Sequence, residues 1–219
     1  RSEIDMYPEY TGTSWLFVLE KELIADPQAL YEATKKAYGE TYKLHVSGMY
    51  GFNNTFTMAV TDQVVQDFNL KSFSDLAAVS AQLSFGAEYD FFERDDGYPG
   101  LVDTYGFKFK DIKEMDIGLK YKAIGEDEVQ VINAFSTDGL LGAYNLTVLE
   151  DDKNYFPAYH GITIVRQETI EKYPELLSVV EKLTGAISDS EMSALNLLVE
   201  GENQSPRDVA RKFIDDKGL

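Results

Sequence analysis

Short apolar runs of strand length alternate with helical patterns along most of this 219-residue chain. That alternation limits the fold more than any other feature. Tyr42 to Met49, Thr55 to Val60, Leu83 to Ala87, Lys110 to Met115, Val129 to Phe135, Thr147 to Leu149 and Gly161 to Arg166 read as strands. Pro27 to Tyr38 reads as a helix, with Asp26 as N-cap and Pro27 at the first helical position. Thr61-Asp62 caps a helix through Phe68, and Ser72 or Ser74 caps the next, through about Ala81. Shorter helices are expected at Gly100 to Tyr105, at Gly118 to Ile124 and after a Thr137-Asp138 cap. The tail reads as helical over Thr169 to Leu183, Ser188 to Glu200 and Ser205 to Lys217, with Gly218 as a stop. Strands alternating with helices of about 8 to 15 residues predict an α/β fold with mostly parallel sheets.

The length allows one large domain or two small lobes, and a hydrophobic content of 44% is enough to bury a core. The chain shows no repeat, low-complexity tract or flexible linker, so two lobes must be joined by short ordered crossings. Met49 to Phe56 and Tyr155 to Gly161 are the expected ones, because strands there run into aromatic and Gly/Pro/Asn-rich sequence. They predict lobe one over 1–55 plus 162–219 and lobe two over 56–161. The net charge of −18 disfavours nucleic acid and anionic lipid as partners and attracts a cationic ligand at long range. The absence of cysteine excludes disulfides, thiolate metal sites and a cysteine nucleophile. No apolar run approaches the roughly 18 residues of a membrane helix. The chain opens at Arg1-Ser2-Glu3-Ile4-Asp5 directly into structured-looking sequence, and reads as a fragment or an excised mature domain.

Signals for catalysis are weak. The two histidines are His45, which alternates within a strand and reads as structural, and His160, beside Tyr159 but with no nucleophile in a recognisable motif. There is no P-loop or Gly-x-Gly-x-x-Gly, and no cofactor is expected. Asp90 to Gly97 has the composition of a calcium loop but not its spacing, and reads as a solvated loop with Arg94 pairing locally.

Aromatic clusters carry more information. Tyr7-Pro8-Glu9-Tyr10-Thr11-Gly12-Thr13 places two tyrosines and two hydroxyls before an apolar helix-like run, Trp15 to Leu23, with the helix starting near Thr11 to Thr13. Matching clusters end later apolar runs at Gly51 to Phe56, Asn133 to Gly139 and Tyr155 to Tyr159. Most of the 14 Tyr and 13 Phe must be core residues. Tyr10, Phe56, Phe135 and Tyr159, however, each stand beside Gly, Asn, Thr, Ser or Pro at the edge of an element, and such edges are where α/β sheets bind ligands. Aromatic faces gathered there attract a quaternary ammonium group by cation–π interaction, worth about 0.5–2 kcal/mol.

In these stretches, together with Arg94-Asp95-Asp96-Gly97-Tyr98-Pro99-Gly100-Leu101, the chain resembles the substrate-binding component of bacterial osmoprotectant ABC importers. The motifs stand in that family's order. The resemblance implies a two-lobe periplasmic-binding-protein fold, type II-like, that closes on glycine betaine, carnitine, choline or a related quaternary amine. It places the aromatic cage on Tyr10, Phe56, Phe135 and Tyr159. Thr13 falls where a hydroxyl meets the ligand's polar end, and Arg94 where some members hold the ligand carboxylate, with Asn54 beside the cage. It implies a permease subunit or fused permease domain as partner. The location it implies is the extracellular face of the bacterial membrane, lipid-anchored or permease-fused, or the periplasm. Phe56 and Phe135 depart from the family's more usual Tyr, which leaves a larger betaine such as ergothioneine open as the ligand. A second departure is the missing strand–helix–strand unit that usually precedes the first motif, so lobe one is expected to be incomplete at its amino terminus. A sensor module, or an enzyme using Glu9, Asp138 or His160 in the same cleft, are the competing classes.

Overall fold

A computed structural model describes residues 4–94 and 96–219. Arg1, Ser2, Glu3 and Asp95, which belong to the chain's opening and to one of the motifs above, lie outside the described residues. The chain divides into two compact units, residues 1–55 with 157–219 and residues 56–156. Residues 157–161, expected in the second lobe, cluster with unit 1. Asn54 N–H donates to Tyr159 O at 3.0 Å, and Thr11 N–H to His160 O at 3.1 Å.

Unit 1 carries a three-stranded sheet in the order β1 (Met6–Tyr10), β8 (Gly161–Arg166), β2 (Leu44–Val46). Both neighbours run antiparallel to β8, the strand on which the chain returns from unit 2. Sequence reasoning missed β1 because Pro8 interrupts it. Proline cannot donate to a ladder, and β1 is an edge strand, where that is tolerated. The helix Pro27–Ala37 starts as expected, with the Asp26 carboxylate accepting Ala29 N–H at 2.7 Å. Tyr31 and Tyr38 from this region pack on Val46, Ile162 and Ile164 to form the core.

Trp15 to Leu23 does not form the expected helix. One α-turn over Thr11–Thr13 passes into a π-turn over Ser14–Val18, closed by Leu19 N–H to Ser14 O at 2.9 Å. Glu20 then turns left-handed, with φ of 51°. Phe17 and Val18 are exposed, so the apolar run has no single face to bury. The tail helix is also broken, into Gln167–Lys172 and Glu175–Val180, because Pro174 lacks the N–H a continuous helix requires. Ser188 caps Asp189–Glu200 with a reciprocal Ser–Glu191 box, and Gly218 ends Pro206–Lys217 at φ of 70°.

Unit 2 carries a five-stranded mixed sheet. Its order is β5 (Asp111–Met115), β4 (Ser84–Glu88), β6 (Val131–Phe135), β3 (Phe56–Thr61), β7 (Leu146–Val148). Only the β4–β5 and β4–β6 pairings are parallel, so the expectation of mostly parallel sheets is corrected: four of the six strand pairings in the described residues are antiparallel. Parallel pairing needs a long crossover, and β4 to β5 has one in the helices Tyr89–Glu93 and Tyr98–Tyr105. Strand β3 is buried along nearly its whole length, which accounts for its largely apolar sequence, with Thr57 the buried exception. Ala59, Tyr121, Ile124, Val129 and Ile132 form the core on one side of this sheet.

Candidate functional site

In unit 1 the site is assembled by backbone pairing among residues 10–13, 52–54 and 158–160. Strand β1 ends at Tyr10 and feeds the turn Thr11–Thr13. Thr11 ties that turn down: its Oγ1 donates to Ala158 O at 3.0 Å and accepts His160 N–H at 3.1 Å. Gly12 is required where it stands. A Cβ there would lie 2.9 Å from Ala158 O and from the Tyr159 ring, so only glycine lets the turn rest on that ring. Tyr159 is fixed from a second side. Its N–H donates to Asn53 Oδ1 at 2.7 Å, and its carbonyl accepts Asn54 N–H. Tyr10 meets Phe52 edge-on, with centroids 6.5 Å apart. Burial pushes the Tyr10 hydroxyl pKa up, a hydrogen bond with Asn54 opposes that, and Glu9 adds to it. Three of the sequence-predicted residues, Tyr10, Asn54 and Tyr159, therefore come together in unit 1, and a fourth, Thr13, ends the turn that Gly12 lays on Tyr159.

In unit 2 the remaining three come together. Phe56 opens β3 and Phe135 closes β6, and the two are direct cross-strand partners with rings 4.7 Å apart. Phe91 and Phe156 also pack on Phe56, at 5.3 and 5.6 Å. The Arg94 guanidinium lies 5.3 Å from the Phe56 centroid. Its Nε and Nη2 donate to the two Asp96 oxygens at 2.7 Å each, a bidentate pair that fits the local pairing expected of Arg94.

Behind Phe135 stands a group that sequence reasoning missed. Lys120 is wholly buried, with its Nζ 3.0 Å from Glu88 Oε2, 5.3 Å from the Phe135 centroid and 5.8 Å from that of Tyr121. Asn133, two residues before Phe135 on β6 and so on the same face, donates to Glu88 Oε1 at 2.7 Å. Nothing in the sequence marks Lys120, because Lys122 two residues on has the same flanking chemistry and is exposed.

The three residues that an enzyme reading would use serve the backbone. Glu9 Oε1 accepts Tyr10 N–H at 2.8 Å. Asp138 Oδ2 accepts Phe135 N–H at 3.0 Å and the Tyr121 hydroxyl at 2.5 Å. It thus shapes the turn after β6 instead of capping a helix; the helix Leu140–Ala143 has no side-chain cap. His160 Nδ1 lies 3.0 Å from Phe52 O, which requires the proton on that nitrogen. His45 Nε2 pairs with Glu181 at 3.3 Å, in keeping with a structural histidine. Among the described residues no group of three His, Cys, Asp or Glu side chains is placed to hold a metal ion, and no helix is long and apolar enough to cross a membrane.

Each of the two compact units thus carries its own aromatic and polar cluster. Residues 1–216 match the family model of the substrate binding domain of the ABC-type glycine betaine transport system, and the chain belongs to that family. It is 41% identical over 219 residues to an ergothioneine transport permease/ergothioneine binding protein of Helicobacter pylori (strain G27), covering all of this chain and 39% of that protein. It is 36% identical over 206 residues to a carnitine transport binding protein of Listeria monocytogenes, covering 94% of this chain and 67% of that one. A solved structure described as a glycine betaine/carnitine/choline ABC transporter superposes with a TM-score of 0.86 at 35% identity, over 98% of this chain and 79% of that chain.

Proposed function

We propose that this chain captures a quaternary-ammonium solute of the betaine, carnitine or choline type outside the cytoplasmic membrane and delivers it to the permease of an ABC importer, with no chemistry done on the ligand. The observation that carries this reading is the gathering of the predicted wall residues into two aromatic clusters, Tyr10 and Tyr159 in unit 1 and Phe56 and Phe135 in unit 2. A quaternary ammonium cannot donate N–H bonds, so ring faces must do most of the holding. Thr13, Asn54 and Arg94 supply polar contacts in this reading, Arg94 toward a carboxylate. The permease is a separate subunit or part of the same polypeptide; the Helicobacter pylori relative combines both roles in its name.

A larger betaine such as ergothioneine is the second reading. It is favoured by the 41% identity to that relative along the whole chain and by the bare rings of Phe56 and Phe135. Calorimetry with glycine betaine, carnitine, choline and ergothioneine decides between the two. The expected result is at least one dissociation constant well below about 1 mM. Arg94→Ala should then weaken glycine betaine, carnitine or ergothioneine more than choline, which has no carboxylate. Failure of all four ligands to bind sinks the function. Equal losses for all of them would confine Arg94 to its pair with Asp96.

A further inference from the structure

Residues 151–156 are wound around one carboxylate. Asp151 Oδ1 accepts the Tyr105 hydroxyl and the Tyr155 N–H, the latter at 3.0 Å, and Oδ2 accepts Phe156 N–H at 2.9 Å. The Tyr105 oxygen in turn accepts Lys153 N–H at 2.8 Å. Asn154, left-handed at φ of 52°, donates its N–H to Asp151 O at 3.0 Å and completes the turn. Tyr105 is itself immobilised. It ends the helix Tyr98–Tyr105, is buried, meets Phe73 edge-on at 5.4 Å, and carries Lys153 Nζ 4.7 Å from its ring centroid.

The residues this carboxylate holds are aromatic and adjoin the candidate site. Phe156 lies 5.6 Å from Phe56, and Tyr155 stands edge-on to Phe156 at 5.0 Å. We propose that Asp151, oriented by Tyr105, is a positioning residue for ligand binding: it holds Phe156 against Phe56 and so fixes the aromatic surface that unit 2 offers to the quaternary ammonium. The proposal rests on the function proposed above. The donor set explains why an acid is needed. Three donors converge on two oxygens, and an amide in the same place would turn its own NH2 toward one or more of them. Burial, and then Asp151 itself, push the Tyr105 hydroxyl pKa up, so that hydroxyl keeps its proton and remains a donor.

The test uses the intact chain, the four-ligand panel above, and amide hydrogen exchange. Asp151→Asn should raise exchange at Tyr155 and Phe156 above that of the rest of unit 2. It should weaken the tightest ligand by about tenfold or more and change the affinity ratios among the four. Tyr105→Phe keeps the carboxylate and the ring, and should weaken the same ligand by a smaller factor, about two- to fivefold. Freed amides with unchanged affinities would overturn the proposal. So would losses equal for every ligand that track a fall in thermal stability, since those mark a purely structural acid. If Asp151→Asn does not fold, Tyr105→Phe decides alone: faster exchange at 155–156 with wild-type affinities refutes it. Absence of binding by the wild-type chain removes the proposed function first and this inference with it, and is distinguished by needing no variant.

Discussion

The tyrosine cluster of unit 1 and the phenylalanine cluster of unit 2 are held by different means. Tyr10 and Tyr159 are placed by peptide groups and short polar side chains: Thr11 on 158 and 160, Asn53 and Asn54 on 159, Gly12 on the Tyr159 ring. Phe56 and Phe135 are backed by charge. Each has a resident cation 5.3 Å from its centroid, Arg94 for one and Lys120 for the other, and each cation is paired with a carboxylate. A ring that already faces a cation offers a second one less, even when the paired carboxylate cancels much of the field. In the proposed function, the tyrosine rings of unit 1 are therefore expected to attract a quaternary ammonium more strongly than the phenylalanine rings of unit 2.

The largest effect should come from breaking the charge that backs Phe135. Lys120→Met removes the ammonium and leaves Glu88 as a buried charge hydrogen-bonded to Asn133, a change worth about 3–5 kcal/mol. Denaturant unfolding measures it. Glu88→Gln combined with Lys120→Met leaves no unpaired charge and should recover most of the loss. A single Lys120→Met variant as stable as wild type would show that unit 2 does not depend on the pair, and the contrast between the two clusters would collapse.

The next largest effect sharpens the contrast in binding. Tyr159→Ala, or Tyr10→Ala, should weaken the tightest quaternary amine by more than about tenfold, roughly 1.4 kcal/mol. Phe135→Ala should cost less, and Tyr159→Phe, which keeps the ring face, less again. Calorimetry on the set gives the order. A larger loss from Phe135→Ala than from both tyrosine variants would reverse the assignment of roles.

How much of this was legible in the sequence depends on where each device lies along the chain. Local ones were readable. Asp26 before Pro27 and Gly218 after Lys217 each act within a turn of their own position, and both act as read. The aromatic residues that gather in each unit were also legible, because Tyr10, Phe56, Phe135 and Tyr159 stand beside turn-forming residues at element ends. Strand direction was not. Alternating strands and helices suggest parallel sheets when each strand stays in one sheet, whereas here the chain leaves unit 1 after Thr55 and returns at Pro157, so β8 meets β1 and β2 head to tail. Long-range charge was the least legible. Lys120 and Glu88 are 32 residues apart, and Tyr105 and Asp151 46 apart. Only the packing shows that the first pair is buried and the second partly so, while most other acids and bases among the described residues are solvated.

The smallest expected effect probes the missing hydroxyls. Phe135 is partly exposed, while Phe56 is 7% exposed and packed among Phe91, Phe135 and Phe156. The two positions should therefore respond differently to tyrosine. At Phe135 an added hydroxyl can reach solvent or a ligand's polar end, and a hydrogen bond made there is worth about 0.5–1.5 kcal/mol. At Phe56 the same hydroxyl enters a ring cluster, where an unpaired buried hydroxyl costs about 1–3 kcal/mol. Phe135→Tyr should thus leave stability nearly unchanged and improve binding of a compact ligand such as glycine betaine by a few-fold, about 0.5–1 kcal/mol. A bulkier betaine fitted against the bare ring should lose a similar factor. Calorimetry with glycine betaine and ergothioneine on this one variant reads the sign for each. Tight glycine betaine binding by the wild-type chain, with no change in Phe135→Tyr, would show that the bare ring at 135 does not select for ligand size and would weaken the case for a larger betaine.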